Sequence, residues 1–465
     1  MDYLIAIVML TPAICFVAMN SSWLVDYAFF IVAFNRGIRR LVDYYIYHEF
    51  TPLSPISLTP LIISIFLVIP FLMRFRTLTP RVRKIFWLLL AAIVHGFFVG
   101  FISNRFAAVF ELFEYVAPIG LMGYVATADV KPEVMDRWIR SAGWSAVGVA
   151  AYGLFQYFNP PVWDAFWMAQ VHFIGYLGIP EPTKIVVFST MAERGTVASY
   201  LAAAAIPMIM ASRWRNFAGW LSVALIITVI PLTYVRAAVI AILFVVVINP
   251  LINKGRGFVA TLLFTGMVLL CMKYGISQLP TSDKLAARYE TLTDMASDAS
   301  FQGRLSIASY GWGLVKSHPL GYGFGATGLG GRVNTGALAS NAVFGDNGYI
   351  SLLLDYGWVG GLCFFMALWC IWKEISRRFN AGIHDEFMTL SRAWFLAVLI
   401  LQYVANGLVG ISLFWLFLGV VLSSRRDPTI LKLLALRLRA SSQKPPAFTP
   451  GMPALQQDAA HNQAI

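Results

Sequence analysis

Long apolar runs separated by short polar connections dominate this sequence. A helix that crosses a bilayer needs about 20 mostly apolar residues, and the runs approach or exceed that length. The pattern therefore predicts an all-α, polytopic membrane bundle of about twelve transmembrane helices. The runs cover roughly residues 3–19, 58–73, 86–103, 106–128, 141–158, 195–212, 217–233, 234–252, 257–272, 349–372, 391–406 and 408–422.

Composition agrees with a chain whose main solvent is lipid. Hydrophobic residues make up 58% of it, charged residues only 12%, and the mean hydropathy is +0.70, which excludes an ordinary soluble domain. The net charge of +12 would suggest nucleic acid in a soluble protein. Here the Lys and Arg residues cluster between apolar runs, so we interpret them as topology signals and expect the bilayer, not nucleic acid, as partner.

The basic clusters fall in alternate connections, which places them all on one side of the bundle. By the positive-inside bias that side is the cytoplasm, so the long connections 159–194 and 273–348 are extracytoplasmic. The stretch 22–34 contains Asp26 and leaves open whether it spans the membrane or lies in the interface. The clusters are Arg74–Lys84, Lys131–Arg140, Arg213 with Arg215, Lys254 with Arg256, Lys373–Arg378 and the tail from Arg425.

Two regions follow from this pattern. Residues 1–424 form the membrane domain, and residues 425–465 form a cytoplasmic basic tail that is largely disordered after an amphipathic stretch at 430–438. The cysteines lie in or beside apolar runs, and no His, Cys or acidic residues recur at ligand spacing. We therefore predict no metal site and no cofactor.

The predicted extracytoplasmic loop 273–348 is too long for a simple connection and is partly helical. One helix begins at residues 281–283, and a second begins at 300–303 and ends at His318-Pro319. The Gly-rich turn Gly321-Tyr-Gly-Phe-Gly325 follows. Such a turn lets backbone N–H groups approach a ligand, whereas the simpler interpretation is a flexible cap over the bundle.

Several strings of this loop and its surroundings resemble a known family. One set of strings, in its order along the chain, resembles the signature of the bacterial O-antigen ligase and O-antigen polymerase superfamily; it consists of Arg304, Trp312, Ser317–Gly325 and Asp346–Gly360. A second set of strings is similar to the polysaccharide-polymerase members of that superfamily; it consists of Tyr152–Gln156, Pro160, Trp163-Asp164 and Phe188–Thr190.

This resemblance covers about residues 140–420 and implies a specific chemistry. It implies a metal-independent glycosyltransferase of the bacterial inner membrane that acts outside the cytoplasm on glycans carried by undecaprenyl diphosphate. Other proteins of polysaccharide export and chain-length control are further partners that it implies.

Transfer from a lipid diphosphate needs cationic donors for the leaving group, and arginine supplies them bidentately without a metal. Arg236 is the sharpest candidate, because a charge at the start of an apolar span is costly; its alternative is an arginine that snorkels to the interface. Arg304, at the start of a loop helix, and Arg194, after the 159–190 connection, are further candidates, with solvated loop charges as the alternative.

A base near the acceptor hydroxyl is the second requirement. Ligases of this group are expected to carry His before the Asn-x-Tyr element, whereas this chain has Asp346, which is our first choice. His318 is the alternative base, or a structural residue that closes its helix. Asn347 and Tyr349 would orient sugar hydroxyls, or simply start a helix and contribute to the aromatic belt.

Glu111 and Glu114 lie one helical turn apart, so they share a face of the 106–128 run. They are candidates for binding sugar hydroxyls, while the nearby Arg105 also fits an interfacial charge cluster. The sequence predicts a polysaccharide or O-antigen polymerase. A ligase that passes the glycan to a lipid A core or a protein, and a secondary transporter, stay as alternatives.

Overall fold

The computed structural model describes residues 1–50, 54–171, 174–253, 266, 299–327, 347–403 and 412–429. All regular structure in these ranges is helical, apart from one isolated bridge between Gly178 and Ile185. Chain contacts divide the protein into two units, Met1–Ser424 and Arg425–Ile465. The amphipathic stretch predicted at 430–438 and the loop helix predicted from 281 lie outside the described residues.

The α-helices are numbered here in chain order. A short π-helix, Asp43–Tyr47, continues α2. The bounds are α1 Asp2–Ala18, α2 Trp23–Val42, α3 Pro55–Arg74, α4 Pro80–Asn104, α5 Phe106–Thr127, α6 Pro132–Phe158, α7 Val162–Gln170, α8 Ile174–Leu177, α9 Arg194–Met210, α10 Trp220–Leu232, α11 Arg236–Asn253, α12 Ala299–Ser317, α13 Gly348–Asn380, α14 Glu386–Leu401 and α15 Ser412–Leu422.

Within the described residues, four helices are long and apolar enough to cross a membrane. They are α3 with its 3₁₀ extension (Pro55–Thr77), α4, α5 and α13. Shorter apolar helices, among them α1, α9, α10, α11 and α15, accompany them. The prediction of an all-helical membrane protein is confirmed.

Local sequence explains where several helices begin. Proline occupies the first turn of α3, α4 and α6, where its missing N–H costs nothing and its fixed φ favours the helix. Ser54 caps α3 by accepting a hydrogen bond from the N–H of Ile56, and Asp385 caps α14 through the N–H of Met388.

Small residues let the central helices approach closely. The Ala202–Ala205 run of α9 is buried, and a Cβ on Gly419 of α15 would lie 2.6 Å from the carbonyl oxygen of Met122 in α5. Close packing of this kind drives association of helices in lipid, where burial of apolar area between helices gains little.

One end of the bundle, called here the Arg74 end, collects basic side chains. Arg74 donates to the side-chain oxygen of Asn20, and Arg137 lies 3.0 Å from Asp26. Arg213 lies 2.6 Å from Glu386. These three arginines, which the sequence assigns to one side, thus lie at the same end of the bundle.

The opposite end, called the Arg40 end, holds the connection 159–194, which the sequence predicts to be extracytoplasmic. The undecided stretch 22–34 forms the first part of α2, which runs from the Arg74 end to this end. There Arg40 contacts Asp164 of the 159–193 connection. The N–H of Val187 in the same connection donates to Leu232 at the end of α10.

Candidate functional site

Three arginines of α2 line a small cavity at the Arg40 end. Arg36, Arg39 and Arg40 lie three and four residues apart, so they share one helix face. The cavity has a volume of about 50 Å³, and its remaining lining residues are Phe50, Trp167 and Ala192. The sequence analysis does not single out this cluster as a candidate site.

Arg40 is fully committed to holding the cavity wall together. Its Nε lies 2.8 Å from a carboxylate oxygen of Asp164, and its terminal nitrogens donate to the carbonyl oxygens of Met191 and Ser189. The guanidinium also lies 4.9 Å from the ring centroid of Phe188. Through the ion pair with Asp164 and the two hydrogen bonds, Arg40 cross-links α2 to the connection before α9.

The partners of Arg40 belong to a wider network that unites the polymerase-like strings. Asp164 also accepts hydrogen bonds from the Gln156 amide, at 2.5 Å, and the Tyr152 hydroxyl, at 2.9 Å. The side-chain oxygen of Gln156 in turn accepts the N–H groups of Phe188 and Ser189. Residues that are separate in the sequence therefore form one buried support for the cavity.

Several contacts also hold Arg39 in place. Its guanidinium lies 3.3 Å from Asp43, donates to the Ser57 hydroxyl at 2.7 Å and sits 4.6 Å from the Phe50 ring centroid. Burial raises the pKa of the Asp43 carboxyl to about 6, although the positive charge of Arg39 opposes the shift. Arg39 thus keeps a fixed orientation at the cavity.

Arg36 is the third arginine that lines the cavity. It is partly buried, and Glu114 of α5 and Glu193 are its electrostatic neighbours. A bidentate guanidinium held beside a second, oriented arginine is suited to binding phosphate oxygens. The predicted residue Glu114 therefore lies near this arginine.

Two predicted arginines also lie at the Arg40 end, each as the first residue of a helix. Arg194 begins α9, and its guanidinium stacks 4.0 Å above the Tyr176 ring, which leaves the N–H edges free of that contact. Arg236 begins α11, just after the turn that follows Leu232. Both positions add positive charge where helix N-termini also favour anions.

Glu111 lies apart from Arg36 and is buried with a partner that sequence reasoning missed. It is 3% exposed, hydrogen-bonds to the Asp355 carboxyl of α13 and accepts the N–H of Gly325. In the sequence, Asp355 is one acidic residue within the apolar run 349–372, and nothing in the local pattern pairs it with Glu111. Its proximity to Glu111 comes from contacts between α4, α5 and α13 that no local pattern encodes.

The Gly-rich turn is a packing element, and the hydrogen bonds of its N–H groups within the protein count against a phosphate-binding turn. Most of the loop that would form a flexible cap lies outside the described residues. The N–H groups of Tyr322 and Phe324 donate to the carbonyls of Leu354 and Gly96, and that of Gly325 goes to Glu111. Phe324 is fully buried. The glycines are needed because the turn presses against neighbouring backbone.

His318 closes α12 at an exposed position. Its Nδ1 lies 2.9 Å from the Ser317 hydroxyl and 2.8 Å from that of Tyr322. The backbone of Arg304 belongs to α12. The side chain of Arg304 and the whole of Asp346 are outside the described residues.

The two residues after Asp346 have contacts at the start of α13. Asn347 caps this helix by accepting the N–H of Ile350 at 3.2 Å, and the Tyr349 hydroxyl donates to the carbonyl oxygen of Leu399. Both lie at the wall of a groove of about 380 Å³.

Within the described ranges, no group of His, Cys, Asp and Glu residues could hold a metal ion.

Comparison with known proteins finds a family match over part of the chain. Residues 221–365 match the family described as O-antigen ligase. This segment runs from α10 into α13 and includes Arg236, Arg304, His318 and the Asp346–Tyr349 string. No curated protein matches the chain. The match at 221–365 confirms, for this segment of the chain, the resemblance to the O-antigen ligase and polymerase superfamily that the sequence shows.

Proposed function

We propose that this protein is a membrane glycosyltransferase that polymerises polysaccharide or O-antigen repeat units from undecaprenyl-diphosphate-linked donors. The family supports a membrane enzyme of the ligase or polymerase type. The observation that carries the proposal is the cavity at the Arg40 end, which is lined by Arg36, Arg39 and Arg40. Its chemistry matches the anionic diphosphate of such a donor.

The proposed topology has about twelve transmembrane helices in the inner membrane, with the Arg40 end outside the cytoplasm. The grouping of basic residues at the Arg74 end supports this orientation through the positive-inside bias. In this arrangement residues 1–424 form the membrane domain, the loop 273–348 is extracytoplasmic and the tail 425–465 is cytoplasmic.

The proposed reaction is direct displacement with inversion. An acceptor hydroxyl oxygen attacks the anomeric carbon, and the bond from that carbon to the diphosphate oxygen breaks. The diphosphate leaves with the bonding electrons, and the hydroxyl proton passes to a base. Arg36, with Arg194, Arg236 and Arg304, stabilises the departing diphosphate and makes a metal unnecessary.

Asp346 is the proposed base, and His318 is its alternative because it is exposed at the end of α12. Asn347 and Tyr349 are proposed to orient sugar hydroxyls beside Asp346, and Glu114 to do so beside Arg36. Glu111 is excluded from direct sugar contact in this proposal, since burial and its protein partners remove it from the surface.

The ligase alternative rests on the family description itself. Polymerase and ligase differ in the acceptor, so the donor site described above would serve either enzyme. The carboxylate at 346, where the ligase pattern has His, favours the polymerase.

The test uses purified protein in lipid vesicles with labelled, lipid-linked repeat units. A ladder of longer chains without added acceptor, insensitive to EDTA, is the expected result. Chains that grow only on added lipid A core would establish the ligase. No transfer to either acceptor, with a folded protein, would overturn both assignments and leave transport.

The same assay tests the catalytic residues. Arg236→Lys keeps the charge but loses the planar fork, so elongation should fall strongly. Asp346→Asn should impair elongation while donor binding persists. If His318→Ala alone abolishes elongation, the base is His318.

A further inference from the structure

We infer that Glu111 and Asp355 form a buried acid pair that positions the Gly-rich turn for glycosyl transfer. Both residues are positioning residues, since neither has a surface that a substrate reaches. The inference rests on the proposed function for its kinetic test, and it also has a structural test that does not depend on activity.

The acid pair connects two membrane-spanning helices to the turn. Glu111 belongs to α5 and Asp355 to α13, and Asp355 is fully buried. The Asp355 carboxyl accepts the Tyr115 hydroxyl at 2.8 Å and the Thr327 hydroxyl at 2.9 Å. Glu111 accepts the N–H of Gly325. The two ends of the segment Gly325–Thr327 are therefore held by the two members of the pair.

The contacts fix where the single shared proton lies. Two ionised carboxylates cannot touch in an apolar interior, so one member of the pair carries a proton. Asp355 receives donors from Tyr115 and Thr327, which suits a carboxylate. Glu111 is then the protonated member that donates to Asp355, and its other oxygen accepts from Gly325.

Other contacts already hold the first half of the turn. The N–H of Phe324 donates to the Gly96 carbonyl at 2.9 Å, and the Asn104 amide donates to the Phe324 carbonyl at 2.8 Å. The Phe324 ring stacks on Tyr115 with centroids 4.8 Å apart. The acid pair in addition holds Gly325 and Thr327, at the C-terminal end of the turn.

Along the sequence, the C-terminal end of the turn is followed by the segment that contains the proposed base. Thr327 precedes the segment 328–346, which ends at Asp346, and Asp355 follows the same segment by nine residues along α13. The acid pair thus joins the chain before this segment to the helix after it. Apolar residues could hold helices together at lower cost, whereas ionisable groups inside a membrane mark function.

The most selective perturbation is Thr327→Val, which removes one hydroxyl and conserves the shape of the side chain. The expected result is a kcat for chain elongation about tenfold lower, with the KM for the lipid-linked donor unchanged. Thr327→Ser, which keeps the hydroxyl, should restore kcat. Thr127→Val is the matched control, because Thr127 is a buried threonine of α5 at the other end of the bundle.

Amide hydrogen exchange supplies the readout that is independent of activity. In Thr327→Val and in Asp355→Asn, the peptide segment 325–327, resolved with overlapping peptides, should exchange at least tenfold faster, while peptides of α5 and α13 keep their protection. Unchanged exchange in this peptide would overturn the inference whatever the enzyme does. Faster exchange with wild-type kcat would also overturn it, because the pair would then be only structural. A wild-type protein without elongation would instead count against the proposed function.

Discussion

The contact of Arg40 with Asp164 gives a prediction whose size follows from the structure. Arg40→Met removes the positive charge but keeps much of the apolar stem. It leaves the Asp164 carboxylate, which is fully buried, without its cation, and it frees the carbonyls of Ser189 and Met191. Breaking a buried ion pair by removing one partner costs about 3–5 kcal/mol.

The remaining hydrogen bonds set the limits of this value. Gln156 and Tyr152 still donate to Asp164, so the carboxylate keeps part of its stabilisation. The freed carbonyls add to the loss, since an unsatisfied buried polar group costs about 1–3 kcal/mol. These effects oppose each other, and we expect a decrease of about 4 kcal/mol in the free energy of unfolding.

The assay is reversible unfolding in mixed detergent micelles, followed by tryptophan fluorescence. Arg76→Met, which changes an exposed arginine at the Arg74 end, is the control and should change stability by less than about 0.5 kcal/mol. The double variant Arg40→Met/Asp164→Asn should regain most of the loss, because it removes the uncompensated charge. A loss below about 1 kcal/mol in Arg40→Met, or simple additivity in the double variant, would refute the reasoning.

Three further predictions follow from single sites. Arg36→Gln should weaken binding of the lipid diphosphate by a factor of about 10 to 150, measured by isothermal titration, because one charge-assisted contact contributes about 1.5–3 kcal/mol. Unchanged affinity would place the diphosphate elsewhere. Gly323→Ala should prevent folding, because φ is +76° and a Cβ would lie 2.0 Å from the Gly100 nitrogen. The folded peak should then be absent from size-exclusion profiles. In the control Gly303→Ala the added Cβ has no atom within 4 Å, so this variant should fold normally. Asp43 has a pKa of about 6, above its ordinary value of 3.8, so the folded state binds this proton more tightly than the unfolded state does. The free energy of unfolding should therefore decrease as the pH rises from about 4 to 6. Asp43→Asn should remove this pH dependence from the unfolding curves.

The sequence predicts the helical membrane fold because apolar run length is a local property. The same local information assigns α12, whose predicted start near residue 300 and end before His318 agree with Ala299–Ser317. It cannot decide α2, which carries both Asp26 and the arginines that line the cavity. Their acceptability inside the bundle depends on Arg137 and Asp164, which lie more than 100 residues away.

The candidate site shows the same division. The polymerase-like strings are visible in the sequence, whereas their assembly around Gln156 and Asp164 is visible only in three dimensions. A turn with alternating glycines suits a ligand or a close helix equally well. The decision comes from Gly96 and Gly100 on α4, which leave room for the backbone of Phe324.

The most direct measurement of the central claim is the stoichiometry of the leaving group. Purified protein in vesicles is supplied with lipid-linked repeat units, and the undecaprenyl diphosphate released is counted against the repeats added to the growing chain. Because every transfer breaks one bond between sugar and diphosphate, the account predicts one undecaprenyl diphosphate per repeat added, with both quantities reduced together in Arg36→Gln. Movement of the donor across the vesicle membrane with no release of undecaprenyl diphosphate would contradict it.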